Sequence, residues 1–334
     1  MALTLYYHDV FTFPLPRGHR FPAAKYRLLR AALLDRGIAR PEDLHLPPAA
    51  TYAQLAYAHT PAYLDKVFHG RLSPAEVRRI GLPWSPALLE RARRSVGSTL
   101  MAAQAALAQG LAANLGGGTH HAGPDWGAGY CVFNDVGVAA RLLLAQGRVR
   151  RVMVIDTDVH QGDGTAAIAA SEPRLFAFSI HAQRNFPFRK VPGDLDLGLP
   201  DGTDDAAYQA ALARGLRIAY ARFGPPDLVF YIAGADPWQG DRLGRLGLTK
   251  AGLEARDRLV LNTVYAWGAP LVVVLGGGYA PDLRDTVDIH ARTLALAAAW
   301  APRFAAWATP QTPTARGTLG EEPHGPASAA GREG

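Results

Sequence analysis

The chain has 334 residues, 49 % of them hydrophobic and 19 % charged, with 35 Gly and 25 Pro spread along it. This excludes a collagenous, coiled-coil or mostly disordered protein and leaves two domains or one large α/β unit. A formal charge of +6 arises from 35 basic against 29 acidic residues, and only four of the basic ones are Lys. The Arg clusters (Arg91, Arg93, Arg94 and Arg148, Arg150, Arg151) are short and read as solvated helix and loop surface, so no specific nucleic-acid partner is expected. The apolar runs are far shorter than the ~20 residues of a membrane span, and the first residues form no apolar signal segment. Together with a single cysteine, Cys131, this predicts a soluble, cytoplasmic protein without a disulfide scaffold or Cys-rich zinc finger.

In chain order, residues 23–36 read as a helix, and Ser85-Pro86 is an N-cap and first-turn pair opening a longer helix that reaches about Leu115. Further helices are expected from Asp135 to Gln146, from Asp205 to Phe223, and from Thr249 to Trp267, each stopped by a following Gly. Four apolar runs, Arg151 to Asp158, Leu175 to Ile180, Asp227 to Ala233 and Leu271 to Leu275, read as buried strands. Strands alternating with helices predict a mostly parallel sheet flanked by helices. From residue 309 to 334 the chain is rich in Pro, Thr, Gly, Ala and Glu without apolar periodicity, which predicts a disordered tail.

Polar groups gather after each strand. The first run ends in Asp156-Thr157-Asp158-Val159-His160-Gln161-Gly162-Asp163-Gly164, the next in Ser179-Ile180-His181, the third in Gly234-Ala235-Asp236 and the fourth in Gly276-Gly277-Gly278-Tyr279. Gly116-Gly117-Gly118-Thr119-His120-His121 precedes them all. Ligands bind outside the carboxyl ends of strands in open α/β sheets, so these pieces converge on one cleft. Alternation along an extended chain puts Asp158 and His160 on one face, and Asp236 completes a three-ligand set suited to a catalytic zinc with an open position. A strand-end Asp often does no more than cap the next helix. Here Asp156, Asp158, His160, Asp163 and Asp236 crowd together, and burying so many carboxylates without a cation is costly.

With two anionic ligands on the metal a general base becomes useful, and the His120-His121 pair supplies imidazoles for it. Asp156 and Asp163 are then left to orient one histidine each. Tyr279 is placed to donate to a developing oxyanion. Cys131 reads as a small packing residue, and neither a G-x-S-x-G elbow nor a phosphate-binding glycine loop occurs.

These motifs, together with Gly127-Ala128-Gly129-Tyr130-Cys131-Val132-Phe133-Asn134-Asp135, resemble the zinc-dependent histone deacetylase superfamily over about residues 1–300. Gln161 and Gly240-Asp241-Arg242-Leu243-Gly244 look most like its class IV branch in bacteria. The resemblance implies a three-layer arginase-like α/β fold, with residues 1–308 as one catalytic domain. It further implies one zinc per chain on Asp158, His160 and Asp236, with His121 as general base and acid and His120 as its electrostatic partner. Asp156 and Asp163 would lie behind the two histidines, and Tyr279 would polarise the substrate carbonyl. Gly129, Tyr130 and Phe186 would line the substrate tunnel, Tyr130 standing where the family usually has Phe. A structural potassium site would draw on Asp156 and main-chain oxygens near Ser179.

The activity implied is removal of an acyl group from an acylated amine, such as acyl-lysine or acylpolyamine, by attack of metal-bound water. Two rivals use the same fold: a two-metal ureohydrolase, which needs a second carboxylate-rich site where Pro237-Trp238 stands, and a binding protein without activity, which would not require Tyr279.

Overall fold

The computed structural model describes residues 2–308, and the tail expected over 309–334 lies outside the described residues. Eight strands form one sheet: β1 (Thr4–Tyr6), β2 (Leu44–His45), β3 (Leu111–Asn114), β4 (Val152–Asp156), β5 (Leu175–Ala182), β6 (Leu195–Leu199), β7 (Leu228–Ala233) and β8 (Leu271–Leu275). Their spatial order is β2-β1-β3-β8-β7-β4-β5-β6, and every neighbouring pair is parallel. The helices are α1 (Ala24–Asp35), α2 (Tyr52–Leu55), α3 (Pro61–Phe68), α4 (Pro74–Ile80), α5 (Pro86–Gln109), α6 (Asp135–Ala145), α7 (Asp163–Ala169), α8 (Asp205–Phe223), α9 (Lys250–Ala266) and α10 (Leu283–Ala308). One run of contacts joins α5, α6 and α7, and another joins α1, α10, α9 and α8, giving the helical layers of a three-layer α/β fold.

The central strands are continuous apolar runs because both faces are covered: every residue of β4, β7 and β8 is buried. Edge strand β6 alternates Leu with polar or small residues and is only partly buried. Helix starts follow side-chain capping, with Ser85, Asn134, Asp204 and Thr249 each accepting from a backbone N–H in the first turn.

Three expectations are corrected. The helix that opens at Pro86 stops at Gln109 instead of continuing to about Leu115, because Gly110 takes a left-handed φ of +87° and Leu111–Asn114 then pairs with β1 and β8. Strand β4 ends at Asp156, so Asp158 and His160 are brought together by the turn that follows it and not by strand alternation. Arg91 is buried instead of solvated, because its face of α5 packs against Phe13, Phe21 and Tyr26.

The topology locates the crevice. From β4 the chain moves outward to β5 and β6, then returns to β7 and β8 on the other side of β4. The carboxyl ends of β4 and β7 therefore flank the switch in winding direction, where open α/β sheets bind ligands. No helix among the described residues is long and apolar enough to cross a membrane.

Candidate active site

Asp158, His160 and Asp236 meet at this switch point, one donor atom from each lying within 4.8 Å of the others, all buried. His160 Nδ1 is 2.9 Å from Asp158 Oδ1 and 3.3 Å from Asp236 Oδ2. The carboxylates are held by main-chain donors: Gly277 N–H bonds Asp158 Oδ2 at 2.5 Å, and Val159 N–H bonds Asp236 Oδ1 at 3.0 Å. Gly277 has to be glycine, since a Cβ there would fall within the Asp236 carboxyl group. Asp236 Oδ2 has only the 3.3 Å approach of His160 Nδ1 and no well-aligned hydrogen bond among the described residues, and burial first, then the neighbouring Asp158 charge, pushes the Asp236 carboxyl up to about 7. Two carboxylates and an imidazole are donors that zinc accepts, and a divalent cation would relieve both the orphan oxygen and the like-charge crowding, so these residues fit the metal.

Both histidines of the glycine loop face the same cavity. His120 Nδ1 is 2.6 Å from Asp156 Oδ2, and His121 Nδ1 is 2.6 Å from Asp163 Oδ1. The rings lie 4.2 Å apart, yet their environments differ. Burial works against the charge on His120, but Asp156 and Asp158 overcome it and raise the group to about 9. Burial and the adjacent His120 lower His121 to about 4, more than Asp163 can restore. The two environments therefore favour the charged form of His120 and the neutral form of His121. An isolated imidazole titrates near 6.5, and burial and the close His120 charge displace His121 downwards from it.

The loop presenting them is tied to α6. Asp135 accepts from Thr99 Oγ1 at 2.6 Å and from the backbone N–H of Gly118 and Thr119 at 3.2 and 2.8 Å. Gly118 sits at φ +63° with a Cβ position only 2.9 Å from Gly276 Cα and the Leu275 carbonyl oxygen, so it is required both for its conformation and for close packing of the two loops. His59 closes the other side: its Nδ1–H donates to the Gly123 carbonyl and its Nε2 accepts from Asn134 N–H, each at 2.9 Å.

Tyr279 lines the cavity, its ring centroid 6.4 Å from that of His160. Burial, then Asp236 and Asp158, hold its phenol well above the usual range, which keeps it a hydrogen-bond donor. Two residues not singled out individually from the sequence clamp its backbone: Asp241 accepts from Tyr279 N–H at 2.6 Å, and Arg242 Nε donates to its carbonyl at 3.0 Å. A third, Arg256 on α9, lies under the site with no solvent exposure; it donates to the Gly234 carbonyl at 2.6 Å and pairs with Asp257 at 2.7 Å. Nothing in the local sequence marks Arg256, since it occupies an ordinary helical position and acts through the fold.

The cavity has a volume of about 660 Å³. Gly129, Tyr130 and Phe186 all line it. Phe186 meets His121 edge-on at 4.9 Å, while Tyr130, at a left-handed φ of +68°, leans towards Phe21 and Tyr279 at 5.2 and 5.9 Å. Phe21, Lys25, Tyr26 and Arg91 also contribute to the wall and were missed, because they come from N-terminal segments without a glycine or acid–imidazole motif. Asp156 and Ser179 are register partners across β4 and β5, with Ser179 Oγ hydrogen-bonded to His181 Nδ1 at 2.9 Å. Cys131 is buried, and burial pushes its thiol up, away from nucleophilic use.

Fold and site together define a parallel α/β protein with a buried Asp-His-Asp set that could hold a metal at the carboxyl edge of its sheet. Residues 19–294 match the histone deacetylase domain family. The chain is 46 % identical over 290 residues to an uncharacterized protein of Picosynechococcus sp., covering 87 % of this chain and 96 % of that one. It is 29 % identical over 286 residues to Histone deacetylase 2 of Arabidopsis thaliana, covering 81 % and 72 %. The fold superposes on the crystal structure of an HDAC homolog from Aquifex aeolicus with a TM-score of 0.76 at 21 % identity, covering 90 % and 84 %. The chain belongs to the histone deacetylase family.

Proposed function

We propose that the chain is a zinc-dependent amidohydrolase that removes an acyl group from an acylated amine such as acyl-lysine or acylpolyamine. The observation that carries this is the convergence of the buried Asp158, His160 and Asp236 donors with two imidazole–carboxylate pairs and Tyr279 on one cavity. Asp158, His160 and Asp236 would hold the ion, which when bound supplies Lewis acidity to the substrate carbonyl and to water.

The protein's own groups do the rest. Asp163 accepts the Nδ1 proton of His121, so Nε2 of that neutral imidazole is left to take a proton from water and later return it to the departing amine nitrogen. His120, charged through Asp156, places a positive charge beside the forming oxyanion. The Tyr279 hydroxyl donates to that oxyanion, held on course by Asp241 and Arg242. Gly129, Phe186 and Tyr130 wall the approach. A structural potassium ion would be held by Asp156 and by main-chain oxygens near Ser179, its register partner on β5.

Metal analysis combined with hydrolysis of a generic acyl-lysine amide tests the reading. One zinc per chain with amide hydrolysis is expected. Two metals with guanidino hydrolysis would favour a ureohydrolase, and a stably folded, zinc-loaded protein that cleaves no amide would favour a binding role.

A further inference from the structure

Two buried cations on the cavity wall pair with no carboxylate among the described residues. Lys25 on α1 and Arg91 on α5 are 4 % and 3 % exposed, and both line the cavity. Lys25 Nζ donates to the Gly276 carbonyl at 3.1 Å. Arg91 donates one Nη to the Tyr26 hydroxyl at 2.9 Å, while its Nε has no partner. The two charges flank one ring, with Lys25 Nζ 5.3 Å and Arg91 Cζ 5.4 Å from the Tyr26 centroid. Lys25 Nζ is also 5.7 Å from the centroid of the Tyr279 ring.

A cation taken out of water needs an anion or a full set of acceptors, and a carbonyl, a hydroxyl and aromatic faces offset only part of that cost. Among the described residues the one carboxylate on the cavity wall, Asp158, is engaged by Gly277 N–H and His160. The anion that answers Lys25 and Arg91 must then arrive with the substrate. The cavity opens to solvent beside Phe188, which is 87 % exposed. An amide lying at Tyr279 with its amine towards that mouth directs its acyl group at the two buried cations.

We propose that the acyl group carries a terminal carboxylate, so that the substrate class is the half-amide of a short dicarboxylic acid with an amine, of succinyl or glutaryl type, its distal carboxylate held by Lys25 and Arg91. The inference rests on the amidohydrolase reading above. Hydrolysis breaks the amide C–N bond, forms a C–O bond to water, passes both of the water's protons to the departing nitrogen, and releases the dicarboxylate and the amine as its ammonium ion. A monocarboxylate product would offer the same carboxylate chemistry. It differs in giving no preference among substrates for a charged acyl terminus.

The test compares kcat/KM of the metal-loaded enzyme for succinyl and butyryl amides of one amine, with the acetyl amide alongside. A charge-assisted pairing predicts a succinyl-to-butyryl ratio of about tenfold or more in the wild type. That ratio should fall towards one in Lys25→Met and in Arg91→Met and be retained in Lys25→Arg. Each ratio is internal to one preparation, so a loss of stability common to both substrates does not move it, and the wild-type ratio needs no variant. A wild-type ratio at or below one, or a ratio unchanged in both Met variants, overturns the proposal. Acetate inhibition that weakens in the Met variants without any succinyl preference would also overturn it, making the cations a product site. If the wild type cleaves the acetyl and butyryl amides well and the succinyl amide poorly, this proposal alone fails. If it cleaves none of them, the amidohydrolase reading fails and takes this proposal with it.

Discussion

The Arg256 guanidinium donates at 2.6 Å to the carbonyl of Gly234, two residues before Asp236, and at 3.4 Å to the carbonyl of Thr157, just before Asp158. One buried side chain thus ties the β7 and β4 ends that carry the two carboxylates of the metal-donor set. Its charge is answered by Asp257, which also accepts from Tyr231 and Thr293 at 2.5 and 2.6 Å. Arg256→Met should lower unfolding stability by about 3–5 kcal/mol, the usual result of leaving one member of a buried pair uncompensated. It should also weaken zinc affinity. Denaturant titration and metal competition measure the two effects; a variant with unchanged stability would show that Asp257 and the two carbonyls do not depend on Arg256.

Loss of the Tyr279 hydroxyl removes one oxyanion donor and leaves the metal donors untouched. Tyr279→Phe should lower kcat by about 10²- to 10³-fold with zinc content unchanged. A change below about threefold in steady-state assays would reduce Tyr279 to a packing residue.

The two histidines should separate. General acid–base catalysis contributes about 10²- to 10⁴-fold, so His121→Ala should lose activity in that range, and His120→Ala should retain more with a substrate whose amine leaves readily. Because burial and His120 lower His121 to about 4, it stays neutral and basic down to that pH, and the acidic limb of kcat/KM should fall below the ordinary His range. The limb should vanish or move in His121→Ala. Equal losses in both variants with that limb intact would reverse the assignment.

His59 links stability to pH through its two hydrogen bonds. Burial lowers it from 6.5 to about 4 in the folded chain. Between those values the unfolded state binds the proton and the folded state does not, so the stabilisation is fully present above 6.5 and lost as pH falls towards 4. The loss is on the order of 1.4 kcal/mol per pH unit in that window. His59→Gln should remove about one proton from the pH slope of unfolding measured by denaturant titration. An unaltered slope would mean that His59 is not held neutral.

How much of this was legible in the sequence follows from the physics of each part. The buried central strands and the capped helices α8 and α9 read clearly, because apolar runs and N-cap chemistry are local signals. The short strands β1, β2 and β3 did not, since two to four residues carry too little periodicity and are fixed by pairing with their neighbours in the sheet. Asp158, His160, Asp236, His120, His121 and Tyr279 were legible because each lies in a short stretch of acids, imidazoles and glycines that follows an apolar run. Lys25, Arg91 and Arg256 were not: all three lie on ordinary helical positions, and only tertiary packing shows which helix face turns inward.

The most direct measurement is zinc per chain in the wild type and in Asp236→Ala, purified and loaded identically. Asp236 supplies the orphan buried oxygen that the metal would answer. The account predicts about one zinc in the wild type and close to none in the variant, as expected when one of three protein ligands is removed. Stoichiometric zinc retained by Asp236→Ala would contradict it.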